Sequence, residues 1–309
     1  MAEAVRLAAS LEGPAGAPVV VLGNSVGTTR ALWDAPAALL HRHFRLLRFE
    51  HRGHGTGPAV AESPSTGSAE SPGSGPAESP GSGPAGRSGG RLAGAAGSGS
   101  RSPAPAGPYS IAGLGRDVLA LLDAEGIGRA LYCGVSLGGM IGMWLAANAP
   151  DRISGLGLVC TSARLPPASL WTERAARVRA DGMSSIAGPV VARWFTPAFQ
   201  AADPGTVRAF RADFEGITPE GYAGCCEAIG AMDLRSELPS ITAPTLVIAG
   251  AEDPATPPWH GARIAAAIPR SRLVVIRGAS HLATASDPGP VTGALLTHLR
   301  AAAASQHGA

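Results

Sequence analysis

Leu131-Tyr132-Cys133-Gly134-Val135-Ser136-Leu137-Gly138-Gly139 is the stretch on which the reading of this chain turns. The apolar run Ala130–Val135 predicts a buried strand, and the segment Leu137–Ala149 predicts a helix immediately behind it. A serine at such a junction sits on a strained strand-to-helix turn that exposes its hydroxyl. So sharp a turn needs small neighbours, and Gly134, Gly138 and Gly139 supply them. In a chain with 42 glycines the bare pattern Gly-x-Ser-x-Gly carries little weight. Its placement between strand and helix makes Ser136 the candidate nucleophile.

Working outward, five more apolar runs read as buried strands of a mostly parallel sheet: Pro18–Gly23, Arg45–Glu50, Ile153–Cys160, Thr245–Gly250 and Arg272–Arg277. Val5–Glu12 is expected to add an edge strand. Amphipathic segments such as Ile111–Glu125 and His260–Ala267 lie between strands, which predicts βαβ units with helices on both faces. Two regions break the alternation. Residues 57–107 are rich in Gly, Ser, Pro and Ala, with an eight-residue unit recurring at Glu62–Ala69, Glu70–Ala77 and Glu78–Ala85. Having almost nothing apolar to bury, they are expected to be a disordered insertion. Residues 165–238 read as helical, with segments at Trp171–Asp181, Ile186–Phe195, Thr206–Phe214 and Gly221–Ile229, and are expected to cap the carboxyl ends of the strands. Residues 1–56, 108–164 and 239–309 then form one α/β core.

Composition excludes several function classes. The formal charge of +2 argues against nucleic-acid binding by bulk electrostatics, and no apolar run is long enough to span a bilayer. The N-terminus lacks the pattern of a signal peptide, so a cytoplasmic location is expected. All 25 basic residues are Arg, which excludes a lysine Schiff base. Cys133, Cys160, Cys225 and Cys226 form no Cys-x-x-Cys pair, so neither a disulfide framework nor a metal site is expected.

A serine hydroxyl needs a base. His281 lies just beyond the last strand, and Asp253 follows the strand before it, in the chain order Ser, acid, His. Glu252 is the neighbouring alternative to Asp253. His51 and His54 flank Arg52-Gly53 in a turn and read as structural. The oxyanion formed on attack needs fixed N–H donors. Leu137, behind the nucleophile, is one candidate, and Val26, in the loop Gly23-Asn24-Ser25-Val26-Gly27, is the other. This is the set expected of an α/β-hydrolase fold.

Further segments carry a narrower likeness. Asn24-Ser25-Val26-Gly27-Thr28, Arg52-Gly53-His54-Gly55, Pro108-Tyr109-Ser110-Ile111, Arg193-Trp194-Phe195-Thr196-Pro197 and the run from Cys226 to Arg235 resemble the 3-oxoadipate enol-lactonases of the β-ketoadipate pathway. Asn24 and Ser25 stand where His and Gly are more usual in the superfamily, and Glu50 where Asp is common. The resemblance implies hydrolysis of an anionic five-membered enol-lactone to 3-oxoadipate through an acyl-enzyme, with no cofactor. The substrate carboxylate calls for an Arg, for which Arg30, Arg164 and Arg193 are candidates, and Trp194 is expected beside it. A homo-oligomer is compatible with this reading. Its rivals are another capped hydrolase (a carboxylesterase, a different lactonase or a carbon–carbon hydrolase) and a hydrolase-like receptor for small lactones.

Overall fold

The computed structural model describes residues 7–55 and 109–305. Among them the apolar runs form β1 (Ala9–Glu12), β2 (Val19–Gly23), β3 (Arg45–Phe49), β4 (Ala130–Val135), β5 (Ile153–Val159), β6 (Thr245–Gly250) and β7 (Ser271–Ile276). They make one sheet in the order β1-β3-β2-β4-β5-β6-β7, in which only the β1–β3 pairing is antiparallel. β4 and β5 are buried at every residue, as expected of central strands covered on both faces.

The sheet runs outward in both directions from β2: β3 lies on one side and β4 on the other. Such a reversal of strand order opens a crevice at the carboxyl ends of the two neighbours. Gly23 and Gly134 are paired in register, so the loop after β2 and the turn after β4 leave the sheet side by side. The predicted oxyanion loop and the predicted nucleophile therefore start from adjacent points.

Helices cover the sheet: α1 (Asp34–Leu40), α2 (Ile111–Ala124) and α3 (Leu137–Asn148) come before β5. Ser110 caps α2, its hydroxyl accepting from the Gly113 N–H, and Ile111, Leu114, Val118, Leu121 and Leu122 form the buried stripe. Between β5 and β6 lie α4 (Ala168–Asp181), α5 (Ser184–Ala192), α6 (Pro197–Ala202), α7 (Pro204–Gly216) and α8 (Pro219–Ala231). α9 (Pro258–Ala267), α10 (Ala283–Ser286) and α11 (Pro288–Ala304) follow β6.

The segment between β5 and β6 differs in detail from the sequence reading. Three of its helices open on a capping residue followed by proline: Thr196-Pro197, Asp203-Pro204 and Thr218-Pro219. Proline fits the first helical position, whose N–H has no partner, so α7 and α8 begin two residues earlier than their apolar patterns suggest. α6, which the sequence reading lacks, is made the same way. The expectation for residues 57–107 lies outside the described residues. Among the described residues, no helix is long and apolar enough to cross a membrane.

Candidate active site

Ser136 occupies the junction of β4 and α3 with φ 54° and ψ −112°. Positive φ is costly for a residue with a Cβ and persists only where the surroundings dictate it. They do so here from both flanks. The Ser136 N–H donates to the Val159 carbonyl at 2.9 Å, and its own carbonyl accepts from the Thr161 hydroxyl at 2.7 Å and from Met140 N–H at 3.0 Å. The elbow is thus tied to the end of β5 as well as to its own helix.

A cavity of about 160 Å³ opens on this turn, and Ser136, His281, Val26 and Ser25 all line it. The His281 Nδ1 donates to Asp253 Oδ2 at 2.8 Å, which leaves Nε2 as the free ring nitrogen. Asp253 is held by its own loop: Oδ1 accepts from the Ala255 and Thr256 N–H groups at 2.8 and 3.0 Å, and Oδ2 from the Thr256 hydroxyl at 2.7 Å. Burial alone would raise this carboxyl. The charge and hydrogen bond of His281, with the Thr256 donors, outweigh it and hold Asp253 at about 2. It is a carboxylate throughout the physiological range. Glu252, the sequence alternative, is exposed and does not line the cavity.

Among the described residues, the backbone N–H groups of Val26 and Leu137 have no protein acceptor. Leu137 opens α3, so its N–H also carries the positive end of the helix dipole. The loop bearing Val26 is braced from below. Gly138 N–H donates to Asn24 O at 2.9 Å, Asn24 Nδ2 to Phe49 O at 2.7 Å, and Gly27 N–H to His54 Nε2 at 3.1 Å. His51 Nε2 lies 2.9 Å from Asn24 O. His51 and His54 are fully enclosed, and burial lowers them to about 4 and about 3. They are neutral braces of the loop, as their place in a turn suggested.

Glu50 completes the brace. Both of its carboxyl oxygens accept from Arg30 N–H at 3.1 Å, and its charge faces Arg30, Arg48 and Asp213. Burial, opposed by the Arg30 contacts, pushes Glu50 up to about 7. A carboxyl whose folded pKa exceeds its unfolded value stabilises the fold while protonated and loses that contribution as pH rises through the folded value. Relative to Glu50→Gln, the native protein should therefore lose up to about 3 kcal/mol of stability between about pH 5 and about pH 8. Urea midpoints of both proteins across that range test this; parallel curves would refute it.

The candidate arginines part company. Arg193 lines the cavity, and its Nη2 donates to Pro254 O at 3.2 Å, beside the Asp253 loop. Arg30 is turned back toward Glu50, with Nε 3.7 Å from Oε1, and does not line the cavity. Arg164 does not line it either; its Nε is 3.6 Å from Asp233. Arg174 of α4, absent from the sequence candidates, does line it and lies 4.9 Å over the Trp171 ring. Trp194 also lines it, and packs edge-on against Phe214 at 5.7 Å, so it serves wall and core together. The Trp194 carbonyl accepts from Leu282 N–H at 3.1 Å, which ties the end of α5 to the His281 loop. Thr256 and Tyr222 complete the polar lining beyond what sequence reasoning named. The Asp-x-x-Thr spacing of Asp253 and Thr256, a common local side-chain turn, could have flagged the former. Among the described residues, no three His, Cys, Asp or Glu side chains converge as a metal-binding group.

A family model described as alpha/beta hydrolase fold matches residues 18–288. The chain belongs to the α/β hydrolase family. It is 33% identical to 3-oxoadipate enol-lactonase 2 of Acinetobacter baylyi, over 93% of this chain and 90% of that one. Among solved structures, the enol-lactonase from Burkholderia xenovorans LB400 superposes with a TM-score of 0.79 at 35% identity, over 95% of this chain and 96% of that one. A hydrolase from Pseudomonas aeruginosa PA01 gives 0.77 at 40% identity, over 95% and 94%. This α/β hydrolase thus resembles enol-lactonases along nearly its whole length.

Proposed function

We propose that the chain is a serine hydrolase that opens 3-oxoadipate enol-lactone to 3-oxoadipate, in the cytoplasm, as a step of aromatic catabolism. The observation that carries the chemistry is the strained Ser136 sharing a cavity with His281, whose far nitrogen is bonded to Asp253. In this reading Ser136 Oγ adds to the lactone carbonyl as its proton passes to His281 Nε2. Asp253 keeps Nδ1 protonated and stabilises the imidazolium. The carbonyl oxygen, now an anion, takes the N–H groups of Val26 and Leu137. Collapse breaks the bond to the ring oxygen, which leaves as an enolate and is protonated by His281. The enol relaxes to a ketone. Water then attacks the acyl-enzyme with His281 again as base, releasing the second carboxylate and restoring Ser136.

The substrate class rests on the likeness to enol-lactonases together with two guanidinium groups on the cavity wall. Arg174 is the better candidate for the lactone's free carboxylate, because Arg193 is partly spent on the Pro254 carbonyl. Arg174→Gln should raise KM for the enol-lactone roughly 10- to 100-fold and leave p-nitrophenyl acetate untouched. Arg193→Gln should slow both substrates, since it also loosens the acid loop. Beside these polar groups the wall carries an apolar stretch of Leu165, Leu170, Trp171 and Val190, which favours a neutral-ester carboxylesterase as the second reading. Side-by-side rates on the enol-lactone and p-nitrophenyl acetate decide between them. A kcat/KM for the lactone no higher than for the acetate would discard the lactonase assignment and keep the hydrolase.

A further inference from the structure

Behind Pro166, the one residue that the two cavities share, lies a second cavity of about 240 Å³. Its floor is apolar, built from Ala163, Leu238 and Ile264, all buried. Its rim is cationic, carrying Arg164, Arg235 and Arg263. A single carboxylate answers them: Asp233 is bonded to Arg235 at 2.6 and 2.8 Å and lies 3.6 Å from Arg164. Arg263 has no carboxylate partner among the described residues and lies 4.8 Å over the Trp259 ring. Trp259 is itself 49% exposed, although it is large and aromatic. Three guanidinium groups against one carboxylate leave an excess of positive charge around an apolar well.

That combination selects its ligand. An inorganic anion would waste the floor, and a neutral hydrocarbon would leave the rim unanswered. We propose that this second cavity is a binding site for a small organic carboxylate with an apolar body, its carboxylate on Arg263 and Arg164 and its body on Ala163, Leu238 and Ile264. Guanidinium groups meet a carboxylate through paired, charge-assisted hydrogen bonds.

Position gives the site a consequence. Arg164 stands on the chain entering the helices between β5 and β6, and Asp233 and Arg235 on the chain leaving them. The two chains are joined by a bond from Leu234 N–H to Ala163 O at 2.9 Å. Trp259 and Arg263 come from α9, and buried His260 lies 2.7 Å from the Ser162 hydroxyl beneath them. An occupant would grip both chains and α9 at once, so it should raise the melting temperature.

The test is titration of the full chain with benzoate and with octanoate, by calorimetry and ligand-observed NMR, with benzyl alcohol as the uncharged control. In an Arg174→Gln background, which removes the anion contact proposed for the catalytic cavity, saturable carboxylate binding should persist, and adding Arg263→Gln or Arg164→Gln should weaken it about tenfold. The tighter of the two acids identifies the body, planar or flexible. Benzyl alcohol binding as tightly as benzoate would show that the rim plays no part and overturn the proposal. So would loss of all saturable binding in Arg174→Gln, binding in that background that Arg263→Gln leaves unchanged, or no saturable binding of either acid. These outcomes are read without turnover, so they stand apart from whether the catalytic cavity hydrolyses the lactone.

Discussion

Replacing Ser136 by Ala should lower kcat for ester or lactone hydrolysis by on the order of 10⁵- to 10⁶-fold, with KM little changed. The size follows from the hydroxyl being the attacking group in the proposed mechanism, not a contact that adjusts geometry. In the proposed mechanism Ser136, His281 and Asp253 act as one unit, so Ser136→Ala combined with His281→Ala should be no slower than the worse single variant. Asp253→Asn should cost about 10⁴-fold, since an amide cannot hold the Nδ1–H tautomer. Stability moves the other way. Ser136 is held at φ 54°, and strain of this kind is worth about 1–3 kcal/mol. Ser136→Gly should relieve it, melting higher than the native protein while being inactive. An alanine variant that kept its rate within tenfold would remove Ser136 from the mechanism. A glycine variant that melted lower would remove the strain from the account.

The positions of the catalytic candidates were legible because each closely follows a strand. A buried strand fixes where its carboxyl end lies, and a residue one to five positions on has little freedom to be elsewhere. Ser136, Asp253, His281, Val26 and Leu137 all sit within such reach of β2, β4, β6 or β7. The arginines were less legible, Arg193 lining the cavity and Arg30 and Arg164 not, because their side chains are long and their neighbours decide them. The chain after the β2 loop turns into a short 3-10 helix at Arg30–Trp33. Its first N–H is bonded to Glu50, and this carries Arg30 behind the loop instead of into the cavity. Arg174 reaches the cavity because α4 packs on α8 with Trp171 and Arg174, one turn apart, facing the same side. Nothing in the spacing of α4, whose only buried residues are Ala175 and Val178, specifies that rotation. It is set by tertiary packing.

The approach of β2 to the elbow helix yields the second large effect. A Cβ on Gly138 would stand 2.5 Å from the Gly23 carbonyl carbon and 3.0 Å from Asn24 O, against an optimal carbon–carbon separation of about 3.5–4.0 Å. Both neighbours are backbone, so no rotamer change relieves the clash; β2 and α3 must separate. Overpacking of this kind costs roughly 1–3 kcal/mol. The damage to activity should be larger than the damage to the fold. The contact being forced apart includes the bond from Gly138 N–H to Asn24 O, which sets the distance between the two oxyanion candidates, Val26 on one side and Leu137 on the other. A misplacement of about 1 Å in a reacting constellation is worth about 10²-fold in rate. Gly138→Ala should therefore melt several degrees lower, at about 2–4 °C per kcal/mol, and lose about 100-fold in kcat. Gly293, exposed inside α11 with nothing within 4 Å of its added Cβ, is the matched control. Gly293→Ala should be neutral or gain about 0.5–1 kcal/mol from helix propensity alone. Melting curves and kcat for the two variants separate the cases. A Gly138→Ala protein with native rate would mean that the two loops are not coupled, and the pairing of Val26 with Leu137 would have to be abandoned.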